Sequence, residues 1–261
     1  MNSSELWATA ADPELAVTTS GAVPPADVTR AVRAIGLILR RHRLDTAVRV
    51  RVTAPTSAEE PTLVQANIRL RGAPTRIQVS GPRGFAVTFA AERLDRQIAR
   101  LTMKQSRELP DPARPPLARI TEPRPIIRRK RCTLLTGTPT EAIAVMDAMD
   151  YDAYLFIDAE TGEDAVVSWA DQLGVRLARQ RTGTPPTVPT LRPLTANSLP
   201  LLVHSEPAPM LTEDAAADLL CRDGLPYLFF TEAVSGRGRL LYRRYDGDLT
   251  IVVPAGRREF H

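Results

Sequence analysis

The residue types that carry out covalent chemistry are few in this chain and scattered. His42, His204 and His261 stand apart from one another, and His261 is terminal. Cys132 follows a basic run but has no histidine or acid placed to assist it, and Cys221 lies far away. Two such distant cysteines, in a chain without export features, are expected as buried or free thiols. No G-x-G-x-x-G, Walker A or H-E-x-x-H pattern is present. Thr136-Gly137-Thr138-Pro139 and Thr182-Gly183-Thr184-Pro185 resemble each other. They lack the lysine and glycine run of a phosphate loop, so they read as turn and linker. Asp, Glu and Cys spacings form no metal set. The expectation is therefore a protein with no catalytic residues, no cofactor and no metal.

Arginine is the residue type with a pattern. In Phe85–Lys104, read as a helix, Val87, Ala91, Leu94, Ile98 and Leu101 fall on one buried stripe. Arg93, Arg96, Arg100 and Lys104 form a second line, with Glu92 and Asp95 beside it. A helix that needed only solubility would mix signs and gain i,i+4 pairs. The chemistry such a line offers is neutralisation of phosphates. The charge distribution agrees. Residues 14–104 carry 15 Lys+Arg against 7 Asp+Glu, residues 105–131 carry 8 against 3, and residues 132–261 carry 11 against 18. A cationic front half is joined to an anionic back half, which implies a polyanion partner for the front half alone.

The elements that would position these arginines read as β-α-β-β-β-α over residues 14–104, after a mobile tail at 1–13. Glu14–Ser20 is a strand. Pro24 and Pro25 open a helix whose apolar stripe is Val28, Val32, Ile35 and Leu39 and whose surface carries Arg30, Arg33, Arg40, Arg41 and Arg43. Ala47–Thr53 alternates strictly, with valines on one face and Arg49 and Arg51 on the other. Leu63–Arg71 repeats this with Arg69 and Arg71 outward. After a turn at Gly72-Ala73-Pro74, Thr75–Ser80 points Ile77 and Val79 inward and Arg76, Gln78 and Ser80 outward. One apolar face per element makes a two-layer α+β domain with both helices on one side of the sheet. The open face then displays Arg49, Arg51, Arg69, Arg71 and Arg76.

Prolines crowd residues 105–125, a semi-rigid linker. Two small tandem α+β modules follow, at 126–178 and 199–257, joined by a Pro- and Thr-rich linker at 179–198. In the first, Cys132–Leu135 is a strand, Thr140 caps a helix, and Tyr154–Ile157 and Val166–Trp169 form a hairpin about Glu160-Thr161-Gly162-Glu163. In the second, Leu201–His204, a helix capped by Thr212, Tyr227–Phe230 and Leu240–Tyr242 repeat the order. Modules of about 60 residues are marginal alone. The strands YLFI and YLFF are apolar on both faces, so the modules are expected to pair with each other. Tyr154, Phe156 and Val167 of the first and Tyr227, Phe229 and Leu241 of the second are the candidate pairing residues, and a monomer is the expected state.

These motifs resemble the ribosome hibernation promoting factor family, S30AE type. Arg93-Leu94-Asp95-Arg96-Gln97-Ile98 is similar to its closing K-L-E-R-Q-L helix. Ile127-Arg128-Arg129-Lys130-Arg131, Pro139-Thr140-Glu141-Ala142, Tyr154-Leu155-Phe156 and Glu160-Thr161-Gly162-Glu163 resemble the tail domain of its long form. Tyr242-Arg243-Arg244-Tyr245-Asp246-Gly247-Asp248 and Ile251 to Pro254 resemble that domain's close. Two tail modules are similar to the layout of the actinobacterial ribosome-associated factors made under hypoxia or dormancy. The resemblance implies a cytoplasmic 70S ribosome partner, with the front domain on small-subunit rRNA in the mRNA and tRNA channel and inhibition by occupancy. The rRNA-binding candidates are Arg30, Arg33, Arg40, Arg41, Arg49, Arg51, Arg69, Arg71, Arg76, Arg93, Arg96, Arg100 and Lys104. Internally paired tail modules imply resting 70S monosomes, with small-subunit proteins as further candidate partners of the modules and no membrane. The alternative is an RNA- or transcription-associated binding protein without ribosome specificity.

Overall fold

A computed structural model describes residues 6–8, 15–55, 61–103, 120–170, 173–181, 201–244 and 247–255. They form two compact units. The first holds the described residues up to Met103 together with Asp147–Asp150, and the second holds the rest. Among the described residues the fold is α+β, with four helices and three five-stranded sheets.

The first unit runs β1 (Leu6–Ala8), β2 (Leu15–Ser20), α1 (Pro25–Arg41), β3 (Val48–Thr53), β4 (Thr62–Leu70), β5 (Ala73–Gly81) and α2 (Ala86–Thr102). The strands lie in the order β1-β2-β3-β4-β5, with β2 and β3 parallel and the other neighbours antiparallel. Strand β1 corrects the expectation that residues 1–13 are wholly a mobile tail. Leu6, Trp7 and Ala8 pair with Thr18, Val17 and Ala16 and so satisfy the outer edge of β2. The period-two pattern sends Val48, Val50, Val52, Val64, Ala66, Ile68, Ile77 and Val79 into one core. Val28, Ala31, Ile35 and Leu39 of α1 and Val87, Leu94 and Ile98 of α2 meet them there. The β4–β5 hairpin turns at Arg71 and Gly72, one residue earlier than the sequence suggests. Both have positive φ, 51° and 83°, the backbone of a two-residue turn matched to strand twist.

The second unit runs β6 (Ile126–Cys132), β7 (Thr136–Gly137), α3 (Pro139–Ala148, whose end belongs to the first unit), β8 (Ala153–Asp158), β9 (Asp164–Trp169) and β10 (Val175–Arg179). It continues with β11 (Leu201–Val203), β12 (Met210–Leu211), α4 (Glu213–Arg222), β13 (Tyr227–Glu232), β14 (Gly238–Arg243) and β15 (Leu249–Pro254). Its two sheets, β11-β10-β9-β8-β7 and β12-β13-β14-β15-β6, exchange their leading strands. Strand β6 lies parallel to β15, with Ile126 opposite Leu249 and Cys132 opposite Pro254. Strand β11 lies parallel to β10, with Leu201 opposite Val175. Two expectations are corrected here. The first module's leading strand is Ile126–Cys132 rather than Cys132–Leu135, and each leading strand completes the other module's sheet.

Helix α3 is capped by Thr138, not Thr140. The Thr138 Oγ1 accepts from Glu141 N at 3.3 Å, and the Glu141 carboxylate accepts from Thr138 N at 2.8 Å, with Pro139 inside the first turn. The backbone N–H and then the hydroxyl of Thr138 hold the Glu141 carboxyl below its ordinary value. Thr212 caps α4 as its position suggests, accepting from Ala215 N at 3.2 Å.

One core in this unit joins Ala142 and Met146 to Phe156, Val167, Val175 and Leu177. A second joins Ala216 and Leu220 to Phe230, Leu241 and Ile251. A third cluster, Leu155, Val166, Phe229 and Leu240 with Tyr227 beside it, brings β14 against β8 and β9 and so holds sheet to sheet. Of the six candidate pairing residues, Tyr227 and Phe229 lie in that shared cluster. Tyr154, Phe156, Val167 and Leu241 lie with the helix-facing cores instead. The correction is one residue along each of those strands, since neighbours on a strand face opposite sides.

Candidate nucleic-acid interface

The candidate arginines of the first unit divide between two surfaces on opposite sides of one core. On the open sheet face Arg49, Arg51 and Arg69 are exposed and Arg76 is half-buried. Their cross-strand neighbours are uncharged, Asn67 opposite Arg49, Gln65 opposite Arg51 and Asn67 opposite Arg76. Arg69 donates to Gly72 O at 3.0 Å, and Arg71 stands exposed at the hairpin turn. Arg76 donates to Gln78 Oε1.

On the helical layer Arg33, Arg40 and Arg96 are exposed. Arg30 is anchored by Asp27 at 2.9 Å and by the carbonyl of Gly84, and Arg41 by Asp95 at 2.9 Å. His42 Nε2 lies 2.7 Å from the other oxygen of Asp95. The two helices therefore run side by side in the same direction, with Arg30 level with Gly84 and Arg41 level with Asp95.

One candidate is buried, another is partly covered, and Lys104 lies outside the described residues. Arg93 is 1% exposed. It donates to Gln78 O at 2.9 Å and to the Asp150 carboxylate at 2.8 Å, while Gln78 N donates to the same carboxylate at 2.9 Å. Arg93 and Asp150 together satisfy both backbone groups of Gln78 on β5, which ends the sheet. Arg100 is partly covered and meets both oxygens of Asp147, at 2.5 and 2.9 Å, and Gln97 donates to Asp147 O at 3.1 Å. The line Arg93, Arg96, Arg100 thus has a different job at each position. Charge reversal at Arg93 is expected to damage the fold. The sequence marks none of this, because Asp147 and Asp150 are far away in the chain and look like the polar end of α3.

Sequence reasoning also passed over Phe85 and Phe89. They are exposed, and their rings stack with centroids 6.4 Å apart. Their i,i+4 spacing off the stripe of Val87, Ala91 and Leu94 was the available signal. Among the described residues no three His, Cys, Asp or Glu side chains gather as a metal site, and no helix is long and apolar enough to cross a membrane.

Known proteins add two findings. The family described as Sigma 54 modulation/S30EA ribosomal protein C terminus matches residues 121–168. This span runs from β6 into β9 and takes in the leading strand, α3 and much of the core of the first module. Over 247 residues the chain is 44% identical to the dormancy associated translation inhibitor of Mycobacterium tuberculosis, in both the CDC 1551/Oshkosh and H37Rv strains. The match takes in 94% of this chain and 89% of the relative, so it spans both units.

Proposed function

Because the chain belongs to the ribosome hibernation promoting factor family, we propose that it is a translation inhibitor that binds the small ribosomal subunit and silences the ribosome by occupancy. The observation that carries this reading is the 44% identity, across both units, to a protein named as a translation inhibitor. The physical ground is the display of exposed arginines on both sides of the first unit. Such a surface binds phosphate backbone and shape without reading sequence, which suits folded rRNA. Its place is the mRNA and tRNA channel, where the bound domain excludes both ligands.

The second unit sets the stoichiometry. The sheet-to-sheet cluster of Leu155, Val166, Phe229 and Leu240 and the exchanged strands β6 and β11 use up, within one chain, the surfaces that a homodimer would need. The protein is accordingly a monomer that stabilises single resting 70S particles under stress, including oxygen limitation. The excess of acid after Arg131, 18 Asp+Glu against 11 Lys+Arg in residues 132–261, suits a basic small-subunit protein better than rRNA.

Purified ribosomes translating a reporter messenger provide the test. Added protein stops synthesis and sediments with 70S particles through a sucrose gradient. Full-speed synthesis at saturating protein, or sedimentation with free RNA only, would refute the proposal. Light scattering near 28.6 kDa, rather than twice that mass, checks the internal pairing.

A further inference from the structure

We propose that Phe85 and Phe89 form a stacking platform for unpaired RNA bases, so that the helical layer of the first unit holds single-stranded nucleotides. The proposal rests on the ribosome-binding reading and names the chemistry of its contact face.

The two rings have no role in the fold that the rest of the helix leaves open. Helix α2 faces the sheet with Val87, Ala90, Ala91, Leu94 and Ile98, all buried. Phe85 and Phe89 are 61% and 41% exposed. Phe85 occupies the N-cap position, where a side-chain oxygen is favoured, and it makes no capping bond. Phe89 is held in place rather than loose. Its ring lies over Gly81, where an added Cβ would come within 2.9 Å of Phe89 Cδ2 and 3.2 Å of Ala86 Cα. The rings incline by 29° to each other. The result is a braced aromatic pair open to solvent at the start of a helix.

The charge around the pair suggests what covers it. Arg30 is fixed to the carbonyl of Gly84, next to Phe85, and Arg83 is exposed on the same loop. Arg33 and Arg96 are exposed further along the two helices, and Asp27 is already engaged by Arg30. Glu92 is the exposed acid on this side of α2. Aromatic faces flanked by guanidinium groups are how single-stranded nucleic acid is held, the rings taking bases and the cations taking phosphates. A protein partner is a poorer fit. Two rings offer about 300–500 Å² at most, well short of the roughly 800 Å² per partner of a stable interface. Among the residues whose side chains are described, the open sheet face has Arg49, Arg51, Arg69, Gln65 and Asn67 but no aromatic residue, so it offers backbone neutralisation without stacking.

The experiment compares the full chain with Phe85→Ala/Phe89→Ala and with Phe85→Trp/Phe89→Trp. Three probes are used: purified small subunits, a uridine decamer, and an abasic decamer with the same phosphates. Because the rings are exposed, both variants are expected to fold, and circular dichroism melts check this. The double alanine variant should bind the uridine decamer about 10- to 100-fold more weakly, the range for loss of one stacked base. Its log–log salt slope and its affinity for the abasic decamer should not change, and the tryptophan variant should restore binding. Equal affinity of alanine variant and wild type for the uridine decamer at every salt concentration overturns the proposal. So does an equal loss for the uridine and abasic decamers. So does weaker binding to small subunits alone, which would mean that the rings meet a ribosomal protein. Wild type that binds the uridine decamer but not small subunits would sink the ribosome reading and leave the platform standing. The opposite failure is alanine variants that match wild type on small subunits and decamer alike.

Discussion

The pairing of the two tail modules can be measured through one ion pair. Asp164, on β9, is 3% exposed. It accepts from Arg237 Nε at 2.7 Å and Nη2 at 3.0 Å and from Gly238 N at 2.7 Å, all from the other module. The geometry is a two-pronged guanidinium–carboxylate contact, and hydrogen bonding to Asp164 raises the Arg237 pKa. The Arg237 side chain remains 38% exposed, so solvent screening limits the pair to about 2 kcal/mol. Removing the carboxylate also strands the buried Gly238 N–H, which adds about 1–2 kcal/mol. Asp164→Ala should therefore cost about 3–4 kcal/mol and Arg237→Ala about 2 kcal/mol. The double variant should cost no more than Asp164→Ala, a coupling of about 2 kcal/mol. Asp164→Asn, which keeps an acceptor for Gly238, should lose about 2 kcal/mol. Equilibrium urea unfolding in a Trp7→Phe background reports on this unit through Trp169, which lies on β9 and donates to Tyr151 O at 3.0 Å. A coupling below about 0.5 kcal/mol, the ordinary scatter of independent sites, would mean that this contact does not join the modules.

The remaining predictions follow from the same geometry. Gly238→Ala would put a Cβ 2.6 Å from the Asp164 Cβ and 2.9 Å from the Phe229 ring; it should cost about 1–3 kcal/mol, and an unchanged urea midpoint would count against the close approach. Asp150→Ala removes a buried carboxylate from Arg93 and an acceptor from Gln78 N; a loss of about 3 kcal/mol is expected, seen as faster amide exchange at Gln78 than at Val79. Ser235 Oγ, then the Val234 and Ser235 N–H groups, hold the Glu232 carboxyl below its ordinary 4.5. Its stabilisation is complete above that value and is lost as pH falls through the lowered one, so Glu232→Gln should flatten the acid limb of the stability curve below pH 4.5. An acid limb as steep as wild type's would contradict this. Replacing exposed Arg33 and Arg96 by Gln should lower the salt slope of ribosome binding by about one each, whereas an unchanged slope would remove both from the phosphate contacts.

Much of the first unit was legible because each element had one apolar face. Strict alternation in Val48–Val52 and Val64–Leu70 leaves one register, and the stripes of α1 and α2 leave one packing. The second unit was harder for the same reason inverted. Tyr154–Ile157 and Tyr227–Phe230 are apolar on both sides, so alternation could not say which side meets a helix and which meets the other sheet. The exchange of β6 and β11 was illegible because the repeats make the two leading strands equivalent partners for either sheet. Among the arginines, exposure followed the helix and strand periods at Arg33, Arg49, Arg51 and Arg96. It failed at Arg93, whose partner Asp150 is remote in sequence.

The reciprocal leading strands have a consequence for the order in which a ribosome makes this protein. Strand β6 emerges first among the tail elements yet waits for β15, the last strand among the described residues, before it has a neighbour to hydrogen-bond. The first module likewise waits for β11. A nascent chain therefore completes its amino-terminal sheet early, while the second unit closes in a single late event. A product that stops short of β15 has an unsatisfied basic β6 in place of a finished sheet, so synthesis of β15 itself acts as the quality check on which molecules acquire one.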